Sequence, residues 1–165
     1  MTVPAQGPDV ADREIVVTRV IDGPRHRVFE AYTEVRHLSQ WWGPDGFTTS
    51  TQSFAFHPGG VWEFIMHGPD GTDYPNHVQW LEIAAPERIV LRHGAGADDA
   101  DAFISTITLT ERDDGRTLIT LRSVFNTAQQ RDHVVEHYRA VEGAEQTLGR
   151  LAVYATNLPR RNDEE

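Results

Sequence analysis

The hydrophobic positions of this chain change period three times, and each change marks a different kind of element. From Glu14 to Ile21 the residues alternate around Ile15, Val17, Arg19 and Ile21, which predicts a first strand. Asp22-Gly23-Pro24 stops it. Asp22 or Gly23 is placed to cap a short helix with Pro24 in its first turn, where a missing amide hydrogen does no harm. Val28, Phe29 and Tyr32 give that helix one apolar side, and a second short helix is expected over 34–40. From Phe47 onward the texture is that of strands, near 47–57, 60–68, 73–83, 87–93, 102–112 and 116–125. Turn chemistry separates most of them: Pro58-Gly59-Gly60, Pro69-Asp70-Gly71, Ala85-Pro86 and Asp113-Asp114-Gly115. The stretch Gly94 to Ala100 reads as a flexible link. After Thr127, a residue suited to capping, Val134, Val135, Tyr138, Val141, Ala144, Leu148, Leu151, Ala155 and Leu158 recur at three- and four-residue steps. They predict one long helix over 128–158, with Gly143 as the place for a bend.

One strand, two short helices, six strands and a long helix cannot form a doubly wound sheet, because no helices separate the later strands. The expectation is an α+β fold in which a seven-stranded antiparallel sheet curls around the C-terminal helix. A single helix stripe cannot cover so much apolar sheet, so a cavity follows from the element count. Residues 1–12 and 159–165 are polar and Pro-punctuated and are expected to be loose tails, leaving one domain at 13–158.

Composition narrows the function classes. A formal net charge of -10 argues against nucleic acid and anionic membrane surfaces as partners, since both need a basic patch. The chain has no Cys, which excludes disulfides, thiolate metal sites and Cys nucleophiles. All fifteen cationic side chains are Arg, so Schiff-base chemistry on a lysine amine is impossible. No apolar run is long enough for a membrane span and the start lacks the plan of a secretion signal, so a cytoplasmic protein is expected.

Residues 41–71 are the richest in candidate chemistry. Trp41 and Trp42 stand where the second helix should turn into the sheet, a place where aromatics act as structural plugs, although one ring can also touch a ligand. Phe54, Phe56, Trp62, Phe64 and Met66 alternate on successive strands, so each set shares a face, and Trp80 extends the aromatic wall. Core packing and cavity lining compete for these residues. With Leu148 and Leu151 of the last helix they make up the expected ligand-contacting set. For acid–base chemistry the polar strand residues to weigh are Glu63, His67, Tyr74, His77 and Arg122. Alternation sets Glu63 and His67 on the face opposite Trp62 and Phe64, which leaves His77 and Arg122 as catalytic candidates. His133-Val134-Val135-Glu136-His137 matches the H-x-x-E-H pattern of a class of zinc peptidases. It falls in the first turns of an acidic helix, and that class needs a distant third ligand in a helical domain. No metal site and no cofactor are expected.

Trp41-Trp42-Gly43-Pro44 with Phe47, Pro58-Gly59-Gly60, Gly68-Pro69-Asp70-Gly71, Pro86-Glu87-Arg88-Ile89-Val90, and Glu142-Gly143 followed by Leu148, Leu151 and Tyr154 occur in an informative order. In that order the chain resembles the homologues of the activator of the heat-shock-protein-90 ATPase, within the helix-grip (START-like, or SRPBCC) superfamily. The resemblance runs from about 14 to 158. It implies a deep cavity between the C-terminal helix and the sheet, used across the superfamily for lipids, polyketides, plant hormones and other apolar molecules. Relatives that are cyclases or dehydratases imply an alternative, cofactor-independent acid–base catalysis in that cavity. The family name implies a third, a chaperone or other partner protein, but the eukaryotic activator works with an additional N-terminal domain for which this chain has no room. The expected partner is therefore a small apolar molecule, lipid-, polyketide- or aromatic-like, with a homodimer left open.

Overall fold

The computed structural model describes residues 11–158; the expected tails, apart from Ala11 and Asp12, lie outside the described residues. The chain opens with β1 (Glu14–Ile21), then α1 (Arg25–Glu30) and α2 (Val35–Trp41). Six strands follow: β2 (Thr48–Phe54), β3 (Val61–His67), β4 (Asp73–Ala84), β5 (Arg88–Gly94), β6 (Phe103–Glu111) and β7 (Thr117–Val124). The chain then enters α3 (Ala128–Tyr138) and α4 (Ala140–Thr156). The strands form one seven-stranded sheet in the order β1-β7-β6-β5-β4-β3-β2. All six pairings are antiparallel. The expected α+β architecture is thus the observed one. Register shifts between Thr51 and Ser53 and between Trp80 and Glu82 insert an unpaired residue in each strand, which bends it and adds to the curl.

β1 and β2 are consecutive in sequence but lie at opposite edges of the sheet, so α1 and α2 carry the chain across its concave side. α4 packs against β1, α1 and α2. The Tyr154 hydroxyl and His37 Nδ1 lie 2.6 Å apart and tie α4 to α2. The concave face buries Val17 and Ile21 from β1, Trp62 and Phe64 from β3, Ile89 and Leu91 from β5, and Ile107 and Leu109 from β6.

Three local expectations need correction. The C-terminal helix is not continuous: Arg139 takes a left-handed conformation (φ 53, ψ 49) that ends α3 and starts α4. Gly143 instead lies in the first turn of α4, where a Cβ would come within 3.4 Å of Pro44 Cγ, so its role is close approach rather than bending. Pro24 is itself the cap residue of α1, with extended backbone, rather than part of its first turn. The Gly94–Ala100 link is organised around Asp99, whose carboxylate accepts from Ala95 N (2.8 Å) and Asp101 N (2.9 Å). Those two amides hold the Asp99 carboxyl below the usual carboxylate range. Thr127 does cap α3, its hydroxyl oxygen accepting from Gln130 N at 3.0 Å.

Candidate functional site

The side chain of each element's buried stripe decides how much space remains between sheet and helix. On α4 the inward stripe reads Ala140, Gly143, Ala144, Thr147 and Leu148, then Leu151 and Ala155. Its first half is small. The sheet beneath it is small as well: one cross-strand row runs Leu91, Ser105, Ser123, Ile15 across β5, β6, β7 and β1. Serines in the middle of that row, facing Gly143 and Ala144, leave a cavity of about 250 Å³. The next row toward the other end is Ile89, Ile107, Leu121 and Val17, and its Ile107 and Leu121 bound the cavity on that side.

The cavity is walled by Trp41, Trp42 and Met66 on one side, by Leu91, His93 and Phe103 below, and by Phe125 and Tyr138 near its mouth. Tyr138 is 65% exposed. The lining contains no Asp, Glu, Lys or Arg among the described residues. Its polar groups are few. The Ser105 and Ser123 hydroxyls share a 2.8 Å hydrogen bond. Tyr32 is buried and, among the described residues, its hydroxyl has no hydrogen-bond partner; burial raises its pKa, so it remains a neutral phenol. The remaining polar group of note is His93, whose ring lies 5.1 Å from Phe103 and 6.0 Å from Trp42. Desolvation lowers its pKa to about 4.

A larger depression, about 690 Å³, runs along the outer side of α4 past Arg19, Asp45, Glu142, Glu145 and Arg150. Its charged walls stand open to water and cannot shelter an apolar group.

The loop from Trp42 to Phe47 forms one cavity wall and is fixed from α4. Arg150 Nη1 donates to the carbonyls of Gly43 and Pro44 at 2.9 Å each, and Gln146 Oε1 accepts from Asp45 N at 3.1 Å. Gly43 has φ 99, and a Cβ there would fall 2.8 Å from Met66 Cε. The Trp-Trp-Gly-Pro run thus has four separate tasks. Trp41 is buried and donates from Nε1 to Ala31 O. Trp42 forms the wall, Gly43 turns beside Met66, and Pro44 seats against Gly143.

Of the residues expected to contact a ligand, the structure brings Trp41, Trp42, Met66 and Leu148 to the cavity. Phe54, Phe56, Trp62, Phe64, Trp80 and Leu151 are elsewhere, in the filled end of the core. Trp62 and Trp80 stack in parallel at 6.4 Å, Phe56 meets Trp80 edge-on at 4.9 Å and Phe54 meets Trp62 at 6.1 Å. These rings pack on one another, with Trp80 Nε1 left without a hydrogen-bond partner among the described residues. The catalytic candidates are also displaced. His77 lies directly opposite Glu63 in the β3–β4 register, and residues directly opposite share a face, so both point away from the cavity. Their side chains meet at 3.0 Å. Arg122 lies on the same outer face, paired with Glu14 at 2.6 Å. The His133 and His137 rings lie 4.4 Å apart on α3, tilted by 37°, and among the described residues no third His, Cys, Asp or Glu joins them.

Sequence reasoning passed over His93, Ser105 and Ser123. The signal was present: Ile89, Leu91 and His93 alternate along β5 and so share its apolar face. Being neither charged nor aromatic-rich, the Ser pair carries no motif at all.

The fold recurs in solved structures. A protein of Nitrosomonas europaea superposes with TM-score 0.79 at 23% identity, covering 88% of this chain and 96% of that one. A protein of Arthrobacter aurescens gives 0.80 at 24% identity, covering 93% and 92%. One of Mycobacterium smegmatis gives 0.78 at 22% identity, covering 92% and 96%. Among curated proteins none matches the sequence. The sequence profile described as Activator of Hsp90 ATPase homolog 1-like protein matches residues 22–156, so the chain belongs to that family.

Proposed function

We propose that this protein binds a small, uncharged, largely apolar molecule in the cavity between α4 and the sheet. The observation that carries this reading is the lining itself: about 250 Å³ walled by rings and aliphatic groups with no charged side chain. A void of about 150 Å³ lined by apolar side chains is enough to hold benzene, so this volume suits a molecule of one or two rings. Burying a charge there would cost several kcal/mol without a partner.

The same lining argues for binding over acid–base turnover. A general acid or base works best with a pKa near the working pH. His93, the titratable ring in the cavity wall, is held near 4. His77 and Arg122 face away from the cavity.

The test is a panel of uncharged one- and two-ring aromatics, short lipids and sterols, read by tryptophan fluorescence and melting temperature. Trp41 and Trp42 are the expected reporters, since they border the cavity while Trp62 and Trp80 do not. A ligand at a hundred times its Kd should stabilise the fold by about 2.7 kcal/mol. A panel that moves neither signal overturns the reading and favours a partner-protein role.

A further inference from the structure

We propose that His93 is the specificity-determining residue of this cavity, accepting a hydrogen bond at Nδ1 from a hydroxyl-bearing ligand. The inference rests on the binding reading above and adds the ligand's polar group to it. Its foundation is a relay on β4. Asn76 Nδ2 donates to Tyr74 O at 2.9 Å, which leaves Oδ1 turned toward His93 Nε2 at 2.6 Å. The opposite amide orientation would set two carbonyl oxygens against each other. An amide oxygen only accepts, so Nε2 must carry the ring proton. In a neutral imidazole the other nitrogen is then an acceptor and nothing else. The ring is neutral throughout the physiological range because burial lowers its pKa.

Nδ1 makes no hydrogen bond to any described residue, although the ring is packed against Trp42, Phe64 and Phe103. The relay therefore presents an oriented acceptor that, unlike the lining hydroxyls of Tyr32, Thr147 and the Ser105–Ser123 pair, cannot itself donate. An acceptor on the cavity wall with no protein partner is left to water, and a ligand that supplies a donor takes the water's place. One that carries a carboxylate meets a lone pair there and is rejected. The class selected is an uncharged ring system bearing a hydroxyl, a phenol or an alcohol.

Naphthol, naphthalene and naphthoate test this by titration calorimetry, with the wild type and His93→Phe compared. The expected result is about fivefold to tenfold tighter binding of naphthol than naphthalene by the wild type, a net hydrogen bond's worth, with naphthoate unbound. His93→Phe should retain naphthalene and lose the preference. Equal binding of naphthol and naphthalene by the wild type overturns this inference while leaving apolar binding intact. Failure of all three probes overturns both. A second measurement does not depend on a variant that folds: long-range proton–nitrogen spectra of the wild type should show the Nε2–H tautomer, with the Nδ1 resonance shifting on naphthol addition. An Nδ1–H tautomer overturns the inference directly.

Discussion

The concave face belongs to one sheet, yet its end on β2, β3 and β4 is solid and its end on β5, β6, β7 and β1 is hollow. At the solid end Trp62, Phe64 and Trp80 from β3 and β4 are fully buried, and Phe54 and Phe56 close over them. At the hollow end the corresponding positions are Ser105 and Ser123 on the sheet and Ala140, Gly143 and Ala144 on α4. Trp42 stands on the boundary, its ring 4.9 Å from Trp62 and 6.0 Å from His93. A cavity in this fold is thus made by small side chains facing one another. The aromatic wall does not line it; it supports it.

The sharpest way to break that contrast is to hollow out the solid end. Trp80→Ala removes a fully buried indole from a network of Phe54, Phe56 and Trp62. The expected loss is about 3 to 5 kcal/mol, the usual range for Trp or Phe to Ala in a packed core. In a domain of this size that lowers the melting temperature by on the order of 10 °C. A loss below about 1 kcal/mol in urea denaturation would mean that the Trp80 end is not the structural core.

How much of this was legible in sequence follows from the same contrast. Large residues announce themselves by period and type, so the sheet, the two short helices and the apolar stripe of α4 could be read directly. The antiparallel order was readable because turn chemistry separates neighbouring strands. Register was not: no turn signal or period sets Glu63 opposite His77, and without that pairing the face of His77 could not be decided. The left-handed break at Arg139 was also hidden, because Arg gives no signal for positive φ while Gly143 four residues later does. The cavity was deduced as a consequence of the fold but placed against the largest side chains, when voids arise where side chains are small.

The second test separates the ends by pH. His93 has its folded pKa lowered to about 4 from 6.5. The unfolded chain therefore binds more protons between those values, so stability is complete above pH 6.5 and falls as the pH drops toward 4. The full linkage would be about 3 kcal/mol, and about 2 is expected because the ring borders the cavity. Asp99, the nearby charge that opposes the shift, has its own pKa lowered, so its contribution is lost only at still lower pH. His37, also lowered by burial, is common to both proteins. In His93→Gln, urea stability should lose about 2 kcal/mol less than the wild type between pH 7 and pH 4. An identical pH dependence would show that His93 is not desolvated.

The boundary between the two ends can be loosened as well. Gly43→Ala imposes a Cβ at φ 99 and 2.8 Å from Met66 Cε. The expected cost is about 1 to 3 kcal/mol. Arg150→Met frees the carbonyls of Gly43 and Pro44 and should cost a similar amount, about 1.5 to 3 kcal/mol for hydrogen bonds from a charged donor. Trp42 fluorescence should shift in both. Unchanged fluorescence with lost stability would mean that the loop is not what positions Trp42.

The smallest effect on stability is expected from filling the hollow end, and it is the most telling. Ser105 and Ser123 are paired across β6 and β7, and their hydroxyls bond to each other at 2.8 Å. Replacing both by Val removes donor and acceptor together, so no buried hydroxyl is orphaned, and exchanging both partners for apolar groups is close to neutral. Val also suits a strand and adds apolar surface to a void. The double variant should therefore stay within about 1 kcal/mol of the wild type in urea denaturation. Its cavity should shrink enough that naphthalene is lost while benzene is still taken up, since a void of about 150 Å³ holds the single ring. If the double variant is instead destabilised as strongly as Trp80→Ala, the serine row is a packed part of the core, and the hollow end is not ligand space.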